Sequence, residues 1–160
     1  MVAGGCRGRK LAAMLLEEGH AVRVTTRSEA GRAAIEELGA QCWVGTPERL
    51  ATLRGALESV TVVCWLLGNA RGPARALAEL HTSRLEYFLT QTVDTSVRGF
   101  VYEARGSTQA PAALAEGERI VVGLCERNAI PLAVLGADPS EPVSWLKQAR
   151  AAIEALLMRR

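Results

Sequence analysis

The run Gly4-Gly5-Cys6-Arg7-Gly8-Arg9-Lys10 holds the residue types best suited to chemistry in this chain. Gly4 and Gly8 let the backbone turn sharply and bring its N–H groups close to a diphosphate, with Gly5, Cys6 and Arg7 in the same turn. A helix opening near Arg9 points the positive end of its dipole at the same place. Together these features read as a cradle for the pyrophosphate of a dinucleotide. Lys10 stands where a third glycine would pack helix against strand, and its side chain is the candidate obstruction. A second position follows about 20 residues later, where NAD sites usually carry Asp or Glu for the adenosine ribose. Here the residues are Thr25-Thr26-Arg27-Ser28, with no carboxylate before Glu29. Arg27 suits the 2′-phosphate of NADP through planar, charge-assisted hydrogen bonds, and Arg7 is a candidate second cation for that phosphate. The expected cofactor is NADP rather than NAD. Gly68, Asn69, Arg105 and Ser107 are expected at the same crevice, with Asn69 and Arg105 as the candidates to meet the ribose or a small-molecule substrate anion.

These residues need elements to position them, and the pattern supplies an alternation of strand and helix. Met1–Ala3 is the end of a strand, shorter than the central strand of such a sheet usually is. The expectation is a truncated first strand, from a late-placed start or a shortened protein. Leu11, Met14 and Leu15 recur at helical spacing until Gly19, and 21–26 alternates as a strand. Ser28 is the expected cap of a helix reaching about Leu38, before a strand over 41–44. Thr46-Pro47 predicts a helix running to about Leu57, with threonine as cap and proline at the first helical position. Val60–Leu67 is almost wholly apolar, as for a parallel strand covered on both faces. Helical patterning covers 74–93, faltering near His81-Thr82-Ser83. A strand over 97–103, a helix over 111–127, a strand over 130–135 and a terminal amphipathic helix follow, with Arg159 and Arg160 suiting that helix's dipole. The fold class is α/β: one three-layer, doubly wound, mostly parallel sheet of order 3-2-1-4-5-6, in a single domain over 1–160.

Composition narrows the field further. The 160 residues carry a net charge of only +2, and the arginines are scattered, which argues against nucleic acid and against an anionic membrane. No apolar run approaches the ~18 residues needed to span a bilayer. Cys6, Cys42, Cys64 and Cys125 form no CxxC pair, so free thiols in a reducing cytoplasm are expected. No cluster has metal-ligand spacing. Tyr102, Trp43 and Trp65 fall in apolar strands and read as core; His81 reads as structural.

The chain resembles the NAD(P)-binding part of the epimerase/dehydratase branch of the short-chain dehydrogenase superfamily. The resemblance rests on the glycine turn, on Gly19-His20-Ala21-Val22-Arg23-Val24 leading to Thr26-Arg27, and on Gly45. It rests also on Val60-Thr61-Val62-Val63, Gly99-Phe100-Val101-Tyr102, Ala115-Glu116-Gly117-Glu118-Arg119 and Ile130-Pro131-Leu132-Ala133-Val134-Leu135. It implies a Rossmann fold and a dinucleotide cofactor. It also implies a Tyr-x-x-x-Lys proton relay, but the matching positions are Ala110 and Leu114, and neither titrates. Ala104-Arg105-Gly106 occupy the place of the usual serine, with Ser107 and Thr108 nearby, and Thr46 that of an aspartate. The expectation is therefore an NADP(H)-binding protein without that pair, acting as a cofactor sensor or binding protein. A small NADP-dependent oxidoreductase without the dyad is one alternative. A cofactor-free domain that forms homo-oligomers through its fourth and fifth helices is another.

Overall fold

Among the described residues every ladder between strands is parallel, and the two strands buried throughout, Val62–Trp65 and Gly99–Glu103, are the ones that read as near-continuous apolar runs. The computed structural model describes residues 1–3, 5–107 and 110–158. Gly4, Thr108, Arg159 and Arg160, each singled out above, lie outside the described residues. Strands β1 (Val2–Ala3), β2 (Arg23–Thr26) and β3 (Gln41–Val44) form one three-stranded sheet in the order β1-β2-β3. Strands β4 (Val62–Trp65), β5 (Gly99–Glu103) and β6 (Leu132–Leu135) form a second in the order β4-β5-β6. Met1 joins them: its amino group donates to the Val62 carbonyl at 2.7 Å, and its carbonyl accepts from the Cys64 amide at 2.9 Å. Burial at this junction holds the Met1 amine below its usual pKa.

Strand periodicity sorts the core into two faces. Val62 and Cys64 of β4 and Val101 of β5 pack with Leu11 and Leu15 of α1 (Cys6–Glu17) and with Trp145, Ala149 and Ile153 of α6 (Pro142–Leu157). Val63, Trp65, Phe100 and Tyr102 point the other way. They meet Leu85, Phe88 and Leu89 of α4 (Ser83–Thr92) and Val121 and Cys125 of α5 (Pro111–Arg127). Helices therefore cover both faces, and the architecture is α/β. Among the described residues no helix is long and apolar enough to cross a membrane.

Two local departures from the sequence pattern have physical causes, and so does the break expected near His81-Thr82-Ser83. Ser28 does not cap a long helix: it precedes a single 3₁₀ turn (Glu29–Gly31), makes no capping bond, and α2 spans only Arg32–Glu36. No α-helix forms over 46–57, where two 3₁₀ turns, Leu50–Leu53 and Gly55–Leu57, stand instead. There the Trp43 indole donates to the Thr52 carbonyl at 2.7 Å, and the Thr52 hydroxyl accepts from the Thr46 amide at 2.9 Å. The Trp43 ring also lies so close to Gly55 that a Cβ there would come within 2.7 Å of it. Side chains thus claim the backbone groups and the space that a helix would use. Finally, α3 (Ala74–His81) and α4 are separate helices, divided at Thr82 (φ −121°, ψ −102°), whose hydroxyl donates back to the Ala78 carbonyl at 2.9 Å.

Candidate functional site

Helix α1 starts at Cys6 with Gly5 in the cap position (φ −64°, ψ 170°), and its first internal hydrogen bond runs from the Arg9 amide to the Gly5 carbonyl at 2.9 Å. The amides of Cys6, Arg7 and Gly8 consequently have no acceptor within the helix. The helix's own first turn has no side-chain capping bond and no acidic residue. Gly8 faces β1 so closely that a Cβ would overlap the Ala3 carbonyl. The packing task expected of a third glycine therefore falls to Gly8. Lys10, one turn position further, is exposed and does not border the cavity described next. A Gly8→Ala variant is expected to lose about 1–3 kcal/mol, because backbone rather than a movable side chain blocks the methyl. Urea unfolding beside the wild type measures it, and an unchanged midpoint would contradict this packing.

Gly5, Cys6, Arg7, Gly8, Arg27 and Asn69 all border one cavity of about 510 Å³. Ala3, Thr25, Thr26, Gly45 and Pro47 complete the walls from the carboxyl ends of β1, β2 and β3. Leu66, Leu67 and Ala70 after β4, with Trp145 of α6, close the other side. Gly68 sits behind the wall, with its amide donating to Glu103 Oε2 at 2.7 Å. At the end of β2, Arg27 is 61% exposed and pairs with Glu48 at 2.8 Å. Such an exposed pair contributes only ~0.2–1 kcal/mol and yields readily to a stronger anion.

Arg7 turns away from Arg27 instead of joining it. Its Nη1 donates to Glu103 Oε1 at 2.7 Å, across to the end of β5, and its guanidinium lies 4.5 Å above the centre of the Trp145 ring. Glu103 is fully buried, and the same Oε1 also accepts from Trp145 Nε1 at 2.8 Å. One carboxylate thus gathers the glycine turn, the segment after β4 and the last helix. Neither Glu103 nor Trp145 was singled out from sequence as a site residue. The available signal was a carboxylate ending an otherwise apolar strand, Gly99-Phe100-Val101-Tyr102-Glu103, since a buried charge needs partners.

The other titratable groups stand apart from this cavity. Tyr102 and His81 are fully buried; the Tyr102 hydroxyl donates to the Leu114 carbonyl at 3.1 Å and lies 3.0 Å from His81 Nδ1. Burial raises the Tyr102 pKa and lowers that of His81 to about 4, so neither titrates near neutrality. Both are structural, as their sequence context indicated. A cavity of about 490 Å³ at the opposite end of the strands, bordered by His20, Arg23 and Thr61, lies away from the carboxyl edge where α/β sheets bind ligands. Among the described residues no group of His, Cys, Asp or Glu could hold a metal ion.

Neither a family model nor a curated protein matches the chain. Solved structures do. A protein from Thermus thermophilus described as a short-chain oxidoreductase is similar with a TM-score of 0.70 at 17% identity, over 98% of this chain and 96% of that one. The triphenylmethane reductase of Citrobacter sp., solved with NADP(H), is similar with a TM-score of 0.62 at 17% identity, over 84% of this chain and 47% of that one. A short-chain dehydrogenase/reductase superfamily protein of Agrobacterium tumefaciens, solved with NAD, gives 0.66 at 18%, over 82% and 45%. This chain therefore spans about half the length of the latter two. At such identities the likeness establishes the fold, and that fold is Rossmann-like.

Proposed function

We propose that this protein binds a nicotinamide dinucleotide at the cavity beneath the α1 N-terminus, and that NADP(H) is preferred over NAD(H). The observation that carries the reading is the convergence of Gly5, Cys6, Arg7, Gly8, Arg27 and Asn69 on one cavity at the strands' carboxyl ends. Unpaired amides at a helix N-terminus suit a diphosphate, and the close approach at Gly8 keeps them facing it. Two of the structural neighbours were solved with NADP(H) or NAD. The reading takes Met1's two bonds to β4 as making one continuous sheet of order 3-2-1-4-5-6 in a single domain, whose order reverses between β1 and β4. Arg27 would hold the 2′-phosphate, exchanging its exposed pairing with Glu48 for a doubly charged partner.

The chemistry of the bound cofactor is hydride transfer, but no Tyr-Lys pair stands ready to relay a proton. Ala110 and Leu114 occupy those positions, and the Tyr102 hydroxyl is buried and bonded to Leu114. A cofactor sensor or binding protein follows, rather than a dehydrogenase of the usual kind. Free thiols at Cys6, Cys42, Cys64 and Cys125 accord with a reducing, cytoplasmic setting. Fluorescence titration with NADPH and NADH tests the reading; no binding of either at millimolar concentration overturns it. In Arg27→Ala, NADPH affinity is expected to fall about tenfold or more, the worth of a charge-assisted hydrogen bond, with NADH affinity little changed. Equal losses for both cofactors would remove Arg27 from the phosphate.

A further inference from the structure

The cavity is lopsided. A dinucleotide-binding sheet consists of two mononucleotide-binding halves, one on each side of the point where strand order reverses. Here the ends of β1, β2 and β3 all contribute to the walls, whereas no described residue at the ends of β5 or β6 does. Those ends are shut off by contact between the loops that follow β4 and β5. Asn69 Oδ1 accepts from the Ser107 amide at 2.7 Å and from the Ser107 hydroxyl at 3.2 Å. Gly68 and Gly106 meet backbone to backbone: a Cβ on Gly106 would overlap the Gly68 carbonyl, and one on Gly68 the Arg105 carbonyl. Beyond this seam lies a polar cleft of about 410 Å³ bordered by Asn69, Arg105, Ser107, Asp138 and Ser140. Among the described residues, Asn69 alone borders both spaces.

Building on the dinucleotide reading above, we propose that the crevice as folded receives the adenosine-phosphate half of the cofactor, and that the Asn69–Ser107 contact is a latch that must part before the nicotinamide half can reach the cleft at Arg105 and Asp138. A ligand that needs the parted form binds more weakly by the fraction of molecules already parted. Two neutral hydrogen bonds, both solvent-exposed, set that factor at about tenfold. The adenosine end alone carries no such penalty, so the protein senses the 2′-phosphate nucleotide more readily than the nicotinamide ring.

Calorimetric titration of the full chain with adenosine 2′,5′-bisphosphate and with NADPH tests the latch. The wild type is expected to bind the bisphosphate at least as tightly as NADPH. Ser107→Ala removes the hydroxyl donor, and Ser107→Pro removes both donors. NADPH should bind about twofold to threefold tighter in the first and about tenfold tighter in the second, with the bisphosphate unchanged. Should the proline variant not fold, the alanine variant carries the comparison. An NADPH-to-bisphosphate affinity ratio unmoved by either substitution overturns the latch alone. Failure of the wild type to bind both probes overturns the dinucleotide reading beneath it.

Discussion

Glu103→Leu is expected to lower stability by about 3–5 kcal/mol. Leucine keeps roughly the volume but accepts nothing. Arg7 would lose the partner that neutralises its half-buried guanidinium, while Trp145 Nε1 and the Gly68 amide would each lose their acceptor. Each stranded donor alone costs ~1–3 kcal/mol. For a domain of this size the loss corresponds to a drop of roughly 10 °C in Tm. Glu103→Gln, which keeps one acceptor oxygen for three donors, should fall between the wild type and the leucine variant. Urea unfolding of the three proteins measures the series. If leucine costs less than ~1 kcal/mol, water rather than Glu103 is satisfying these donors.

Acid is expected to destabilise the protein through His81. Its ordinary pKa is near 6.5, and burial lowers it to about 4 in the fold. The unfolded chain therefore binds a proton over a pH range in which the folded chain does not, and stability rises with pH there. The contribution is complete above pH 6.5 and is lost as pH falls toward 4. The gap between the two values corresponds to about 3 kcal/mol. With the Tyr102 proton given to Leu114, a proton on His81 Nδ1 suits the Tyr102 oxygen, and a backbone hydrogen bond with Leu67 opposes the lowering of the His81 pKa without overcoming burial. His81→Asn offers a comparable donor to Tyr102 without titrating. The wild type should lose about 3 kcal/mol more than this variant between pH 7.5 and 4 in matched urea melts. Parallel pH profiles would show that other groups govern the acid limb.

Much of this was legible because burial leaves a signature in the residues themselves. Val60–Leu67 read as a strand covered on both faces and 97–103 as the next strand, and the strands that form there, Val62–Trp65 and Gly99–Glu103, are buried throughout. Gly5, Cys6, Arg7, Gly8 and Arg27 were singled out by the order strand–glycine turn–helix–strand, a local pattern, and Asn69 by its place in the loop after the fourth strand; all six border one cavity. What escaped was non-local. Arg7 and Glu103 are 96 residues apart, and Trp145 joins Glu103 from 42 residues further on, so no spacing rule connects them. Thr46-Pro47 carries the local signs of a helix start, yet Trp43 and Thr52 bond the segment into 3₁₀ turns. Gly8 was assigned to phosphate approach and Lys10 to the packing site. Only the contact with Ala3 shows which position meets the strand.

The position of α6 bears on how the polypeptide reaches this state at all. Trp145, Ala149, Ile153 and Leu156 bury themselves with Val2, Leu11 and Leu15. At roughly 5–20 amino acids per second, a ribosome leaves the first helix uncovered for on the order of ten seconds before its partner is made. Native closure is thereby deferred until α6 has emerged, and the nascent chain meanwhile presents a greasy stripe that chaperones of the translation machinery would shield.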